Sequence, residues 1–190
     1  MKQETRAKLI RSARRAFAKN GFAQTSMDEL TADAGLTRGA LYHHFEDKKG
    51  LLAAVVNEID DEMALKARQV GQAEADGWKA LLAEGAAYIE MSMDPEIQRI
   101  VLLDGPAALG DPSKWPSQNR CLNATRDALK KLVEDGTLRD VDMDAAAWLL
   151  NGAALNAAIW LAGSESPKED LVKVTQAFRL MAEGLLKNAQ

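Results

Sequence analysis

The sequence predicts an all-α protein built from nine helices. Apolar residues recur at spacings of three and four along almost the whole chain. Strand-like alternation is absent, and helix-capping signals bracket the apolar stretches. The composition agrees: 47% of the 190 residues are hydrophobic and 27% charged, enough to bury a core and keep a solvated surface. No apolar run approaches the ~18 residues that a membrane span needs.

The first helix covers about 3–20. Ile10, Ala13 and Phe17 share its apolar face, flanked by Leu9 and Ala16, and Arg6, Lys8, Arg11, Arg14, Arg15 and Lys19 surround that stripe. Asn20-Gly21 supplies the left-handed residue that ends it. The second helix opens at Ser26-Met27-Asp28-Glu29, a capping box, and runs to about Ala34. Gly35 permits a tight turn, and Thr37 caps a short third helix over about 38–44. Asp47 caps a long fourth helix over about 48–70, with Leu52, Val55, Val56, Ile59 and Met63 along one side.

Trp78, Leu81, Leu82, Gly85, Tyr88 and Ile89 mark the fifth helix. Asp94-Pro95 starts the sixth as N-cap and first helical residue, and Gly105-Pro106 is expected to close it. Three prolines and two glycines make 104–116 the one substantial loop. Leu122, Thr125, Leu129, Leu132 and Val133 define the seventh helix, stopped by Gly136. Asp142 caps the eighth, about 143–162. Ser166-Pro167-Lys168-Glu169 reads as a capping box with proline at the first helical position, opening the ninth at about 167–187.

Charge is distributed unevenly. Residues 1–50 carry ten Lys and Arg against six Asp and Glu, whereas residues 51–190 carry 14 against 22. A basic head on an acidic body is the asymmetry expected when one end meets a polyanion. Cys121 is the only cysteine, which excludes an intrachain disulfide and a multi-cysteine metal site and suits a reducing compartment. The charged stretch from Met1 to Lys8 is followed by no apolar segment of the signal-peptide kind, so no cleavable signal is expected.

The head carries the clearest chemistry. Two short helices separated by a four-residue turn (Ala34 to Thr37) can pack Met27, Leu30, Ala34, Leu36, Leu41 and Phe45 against the first helix, which is a helix-turn-helix arrangement. Its second helix fits a major groove about 12 Å wide. Thr37, Arg38, Gly39, Tyr42 and His43 occupy the N-terminal and outward positions; Leu41 and Phe45 point in. Arg38 can give two parallel hydrogen bonds to guanine O6 and N7. Gly39 removes bulk where backbone must approach. Tyr42 and His43 can donate to phosphate or touch thymine methyls, although Tyr42 is also compatible with the core. Thr25 and Ser26 before the second helix, and Lys48 with Lys49 at the start of the fourth, suit phosphates at helix N-termini. His43-His44 is not read as a metal site, because adjacent helical residues diverge by about 100° and the two are not joined by carboxylates in a ligating pattern.

The runs Ala16-Phe17-Ala18-Lys19-Asn20-Gly21-Phe22-Ala23-Gln24-Thr25-Ser26-Met27, Ala34-Gly35-Leu36-Thr37-Arg38-Gly39-Ala40-Leu41-Tyr42-His43-His44-Phe45 and Glu46-Asp47-Lys48-Lys49-Gly50-Leu51-Leu52 resemble the first-helix exit, the recognition helix and the fourth-helix entry of the tetracycline-repressor (TetR) family. The resemblance implies a nine-helix homodimer that represses transcription until a small ligand enters the body. It also implies that Thr37, Arg38, Gly39, Tyr42 and His43 face bases or nearby phosphates, that Lys48 clamps backbone, and that the protein works in the bacterial cytoplasm on the nucleoid. The DNA-binding domain would then be 1–47, and the ligand-binding and dimerisation domain 48–190.

In the body, the eighth helix is apolar nearly all round and must be covered on most sides. The ninth carries Leu171, Val174, Phe178, Met181 and Leu185 as a seam. Paired in two subunits, these helices would form a four-helix interface through Trp148, Gly152, Leu155, Ile159 and that seam; plain internal core is the other reading. A ligand site among helices four to eight would draw on Met63, Tyr88, Met91, Ile100, Leu103, Trp115, Cys121, Leu122, Trp148 and Asn151, a mix that suits a small hydrophobic or aromatic molecule. Each of these side chains is also compatible with plain core. No cofactor or metal is expected. Nothing in the sequence resembles a zinc-protease, phosphate-loop or catalytic-triad motif, so an enzyme is not expected. The expected partners are duplex DNA, a second copy of the chain and a small-molecule effector, with no membrane. The other functional reading is a helix-turn-helix protein with no small-molecule switch, in an architectural or partner-controlled role.

Overall fold

Local capping chemistry sets most of the helix ends. The computed structural model describes residues 2–187. Helices α1 (Lys2–Asn20), α2 (Met27–Ala34), α3 (Arg38–His44), α4 (Lys48–Gln72) and α5 (Gly77–Met91) fall where the apolar spacing places them. Gly21 and Gly35 hold the left-handed φ values of 79° and 65° that their turns require. The Ser26 hydroxyl accepts from the Glu29 amide while the Glu29 carboxylate accepts from the Ser26 amide. Thr37, Asp47, Asp76 and Asp142 cap in the same way through their side-chain oxygens.

The expected sixth helix is longer and less regular than the sequence suggests. It consists of α6 (Pro95–Ile97), a π-helical stretch (Gln98–Asp104) and α7 (Gly105–Leu109), running on through Gly105-Pro106. The Gly105 amide already reaches back five residues to the Ile100 carbonyl. Pro106 then stands at the start of α7, where no donor is needed, so the helix passes through it instead of stopping. Pro116 likewise opens a helix: α8 (Pro116–Glu134) begins six residues before Leu122. The remaining helices are α9 (Met143–Ala162) and α10 (Pro167–Glu183). With 95–109 counted as one segment, the described residues form nine helices, a single 3-10 turn (Pro112–Lys114) and no strand, apart from an isolated bridge between Leu138 and Leu186. The expected box at Ser166 does not form; its amide bonds instead to the Ser164 hydroxyl, which itself donates to Asp170.

The chain divides into two compact units, residues 1–60 with 94–112, and residues 61–93 with 113–190. In the first, Leu9, Ile10, Ala13 and Phe17 of α1 meet Leu30, Leu41 and Phe45 in one buried core. The 95–109 segment packs on α1, and ionic contacts fasten it there. The Arg14 guanidinium donates to both Glu96 oxygens at 2.9 and 2.8 Å and lies 3.4 Å from Glu58. The Phe22 amide donates to Asp104 at 2.8 Å. In the second unit, α5, α8 and α10 surround α9, whose Ala146, Ala147, Leu150, Ala154, Ala157, Ala158 and Leu161 are buried. By length and composition α9 could span a membrane, contrary to the expectation from run length. Its buried, alanine-rich side, 39% of the apolar window, is what a core helix presents.

Gly85 allows a close approach in this core. A Cβ added there would sit 2.6 Å from the Phe178 ring. Gly85→Val is expected to lower the unfolding free energy by about 1–3 kcal/mol through overpacking, read from urea denaturation; an unchanged midpoint would show that the ring can move aside.

Candidate nucleic-acid interface and ligand cavity

The three-helix packing of the head turns one face of α3 outward. With Leu41 and Phe45 committed to the core, Thr37, Arg38, Gly39, Tyr42 and His43 are all exposed. Tyr42 is 55% exposed, so its ring is not core. Open space surrounds the Gly39 backbone, where only the Thr37 hydroxyl comes within 4 Å of a would-be Cβ. Arg38, the first residue of α3, makes a side-on ion pair: its Nε and Nη2 donate to the two carboxylate oxygens of Asp28 on α2. The bond to Asp28, and then its charge, raise the already high pKa of the guanidinium. On the opposite side of α2, Asp33 accepts from the Ser12 hydroxyl and from Arg15, each at 2.6 Å, which holds its carboxyl below the ordinary value.

Two expected phosphate contacts are otherwise engaged. Thr25 is buried and its hydroxyl donates to the Gly21 carbonyl at 2.8 Å. The Lys48 ammonium reaches the carbonyls of Phe22, Thr25 and Ala23 at 2.8, 2.9 and 3.4 Å and lies over the Phe22 ring. An ammonium has three donors, so Lys48 is satisfied within the chain and ties the 22–25 loop to α4. The sequence shows a cation at a helix start; it does not show three carbonyls converging on it. Ser26 remains exposed, with its hydroxyl accepting from the Glu29 amide.

In the second unit, α5, α8, α9, α10 and the later turns of α4 enclose a cavity of about 300 Å³. Leu81, Leu82, Leu150, Ala154 and Phe178 provide apolar wall, and Glu84, Tyr88, Cys121, Thr125 and Asn151 provide polar groups. Asn151 accepts from Thr125 at 2.9 Å, leaving a buried amide nitrogen with no partner. Burial pushes the Glu84 carboxyl up from its ordinary value, against the charge of Arg68. Asp61 and Arg120, also in the lining, pair with each other at 2.6 Å.

Of the residues expected at the ligand, the structure therefore gathers Tyr88, Cys121 and Asn151. Met63 and Trp115 are buried elsewhere, Met91 and Leu122 do not reach the cavity, and Ile100 and Leu103 belong to the other unit. Trp148 is exposed. Glu84 and Phe178 were not anticipated there. The available signal was the α5 face Leu81, Glu84, Gly85 and Tyr88, in which one carboxylate interrupts an apolar stripe at helical spacing.

The expected α10 seam largely faces the chain's own core. Phe178 is buried, and Leu171, Val174 and Leu185 pack beside it; only Met181 is exposed. Seam spacing identifies an apolar face but not what covers it. The exposed apolar residues are instead Trp148, Leu149, Ile159 and Trp160 on α9, with Val172, Leu180 and Met181 on α10. Gly152 and the half-buried Leu155 lie along the same helix as the tryptophans, with open space above Gly152.

These features have counterparts in known proteins. The family profile described as "Bacterial regulatory proteins, tetR family" matches residues 9–55. That described as "Tetracyclin repressor-like, C-terminal domain" matches residues 78–185. The chain belongs to the TetR family. A TetR-family transcriptional regulator from Pectobacterium atrosepticum is 43% identical and superimposes with a TM-score of 0.90, covering 100% of this chain and 97% of that one. The transposon Tn10 TetC protein of Escherichia coli is 28% identical over 162 residues, 83% of this chain and 80% of its own length. The regulator TtgR of Pseudomonas putida is 35% identical over 102 residues, which is 52% of this chain and about half (48%) of TtgR. TetR-family proteins are DNA-binding transcriptional regulators rather than enzymes, and this chain is one of them.

Lys48→Ala is expected to cost about 1–3 kcal/mol of stability, because it removes a charged donor from buried-edge carbonyls. The salt dependence of DNA binding should change little. A flattened salt slope with an intact urea midpoint would instead restore Lys48 as a phosphate contact.

Proposed function

We propose that this TetR-family regulator is a homodimeric repressor that leaves a palindromic operator when a small hydrophobic or aromatic molecule enters the body. In this reading, residues 1–47 bind DNA and residues 48–190 bind the effector and form the dimer, in the cytoplasm at the nucleoid. The observation that carries DNA reading is the exposed face of α3, where Arg38 and Tyr42 project beside a glycine that offers no steric barrier. Thr37 and His43 flank them. Ser26 stands at the N-terminus of α2, where free amides suit a phosphate.

The 300 Å³ cavity supports the effector part of the reading and favours it over a protein with no small-molecule switch. Its size and mixed lining are those of small-ligand sites. A ligand shifts the equilibrium only by its differential affinity for two forms, here one with the heads spaced for adjacent grooves and one without. Coupling of about 1–3 kcal/mol would change operator affinity about 5- to 150-fold. Helix α4 runs from the first unit into the second and provides a covalent route for that coupling.

The exposed tryptophans of α9 support the dimer. Large apolar patches on a chain mark surfaces that another body covers. An isologous pair of α9 and α10 helices would place two recognition helices about 34 Å apart, one turn of B-DNA.

Selection of bound duplexes from a random pool is the direct test. A palindrome with half-sites one turn apart is expected, and a non-repeated or featureless motif would overturn the reading. In the same assay Arg38→Ala should erase the preference at one position per half-site, a loss of about 1–3 kcal/mol. Trp148→Glu with Trp160→Glu should leave a folded monomer in sedimentation and weaken operator binding by roughly two orders of magnitude; a persistent dimer would place the interface elsewhere.

A further inference from the structure

The ion pair between Arg38 and Asp28 has a geometry that matters for base reading. A guanidinium has five N–H donors arranged in a fork. Asp28 takes the Nε hydrogen and one Nη2 hydrogen. The outer edge, formed by Nη1 and the second Nη2 hydrogen, stays available, and that edge presents the two parallel donors that match guanine O6 and N7. A carboxylate on this side of the arginine therefore does not compete with a base; it fixes the plane in which the remaining donors point.

Asp28 stands in the first turn of α2, where any carboxylate suits the helix dipole, but that role does not call for a partner on α3. The capping bonds of α2 are made by Ser26 and Glu29 and not by Asp28: the Ser26 hydroxyl accepts from the Glu29 amide, and the Glu29 carboxylate accepts from the Ser26 amide. The Asp28 side chain is more than half exposed, so it contributes no core packing. A carboxylate at the edge of a face that meets phosphates repels DNA, and its compensation is the orientation that it imposes on Arg38. A free arginine at an exposed helix start would sample many rotamers, and ordering it on the base would cost entropy at the moment of binding.

We infer that Asp28 is a specificity-determining positioning residue: it holds Arg38 side-on from the preceding helix so that the end of the guanidinium is presented, pre-oriented, to guanine. The inference rests on Arg38 being a base reader, as proposed above, and adds a second residue to the readout that does not itself touch a base.

The test is base-by-base selection and titration with the full-length dimer, comparing the parent protein with Arg38→Ala, Asp28→Ala and Asp28→Asn. With Asp28→Ala, the guanine preference at the position lost in Arg38→Ala should fall at least fivefold. Affinity for a random-sequence duplex should hold or rise, because a negative charge has gone. Asp28→Asn, which keeps one acceptor and the side-chain shape, should lose less; it also serves as the working variant if the alanine protein does not fold by circular dichroism. Uniform weakening on all duplexes would make Asp28 a mere strut between helices and overturn the inference. So would full guanine preference in both Asp28 variants while Arg38→Ala abolishes it. If Arg38→Ala leaves every preference intact, the assignment of Arg38 itself falls, a distinguishable failure.

Discussion

The burial of Phe17, Leu30, Leu41 and Phe45 in a single small core is the constraint on which the DNA-binding end depends. Helix α3 has only seven residues, too few to be stable alone, so its position is dictated by the side chains that it commits to that core. Once Leu41 and Phe45 point inward, the 3.6-residue period turns Gly39, Tyr42 and His43 outward, whereas Arg38 is exposed because it opens the helix and pairs with Asp28 of α2. Caps at Ser26, Thr37 and Asp47 then fix where each short helix begins. The chemistry available to DNA is thus a by-product of hydrophobic packing on the other side of the same helix.

This explains why the head was largely readable in the sequence. Its signals are local: a capping box, a left-handed glycine and apolar spacing over a few turns. The exposure of Gly39, Tyr42 and His43 was legible because the helical period turns each well away from Leu41, and that of Thr37 and Arg38 follows from their place at the helix start. Thr25 and Lys48 were less readable, because their partners are backbone carbonyls brought together by the fold, and no residue type marks a carbonyl. Asp28 escaped notice for a similar reason. Its partner lies ten residues away across a turn, and only the angle between two helices makes the pair.

The body was readable as helices and less so as surfaces. The apolar face of α10 was evident, yet Phe178 belongs to the protomer core, where Gly85 makes room for it. The apolar circumference of α9 was evident, but its division into a buried alanine-rich side and an exposed tryptophan side was not. The cavity was the least readable feature. Its walls come from five helices, and three of the ten side chains expected at the ligand line it. Pro106 shows a different limit: a residue that normally ends a helix is tolerated once a π-turn has moved the hydrogen-bond register ahead of it.

The contacts of Arg14 with Glu96 and of the Phe22 amide with Asp104 bear on how such regulators can be re-engineered. The three-helix head is often imagined as a portable cassette that can be cut and spliced. Here the segment 94–112 closes over α1 as part of the same compact unit, although more than forty residues separate it from the end of α3. A chimera carrying only the first 47 residues would strip a guanidinium and a backbone donor of their native carboxylates. Grafting this reading head onto another body therefore means transplanting a discontinuous module, and the acidic positions of the recipient's sixth helix become design variables in their own right.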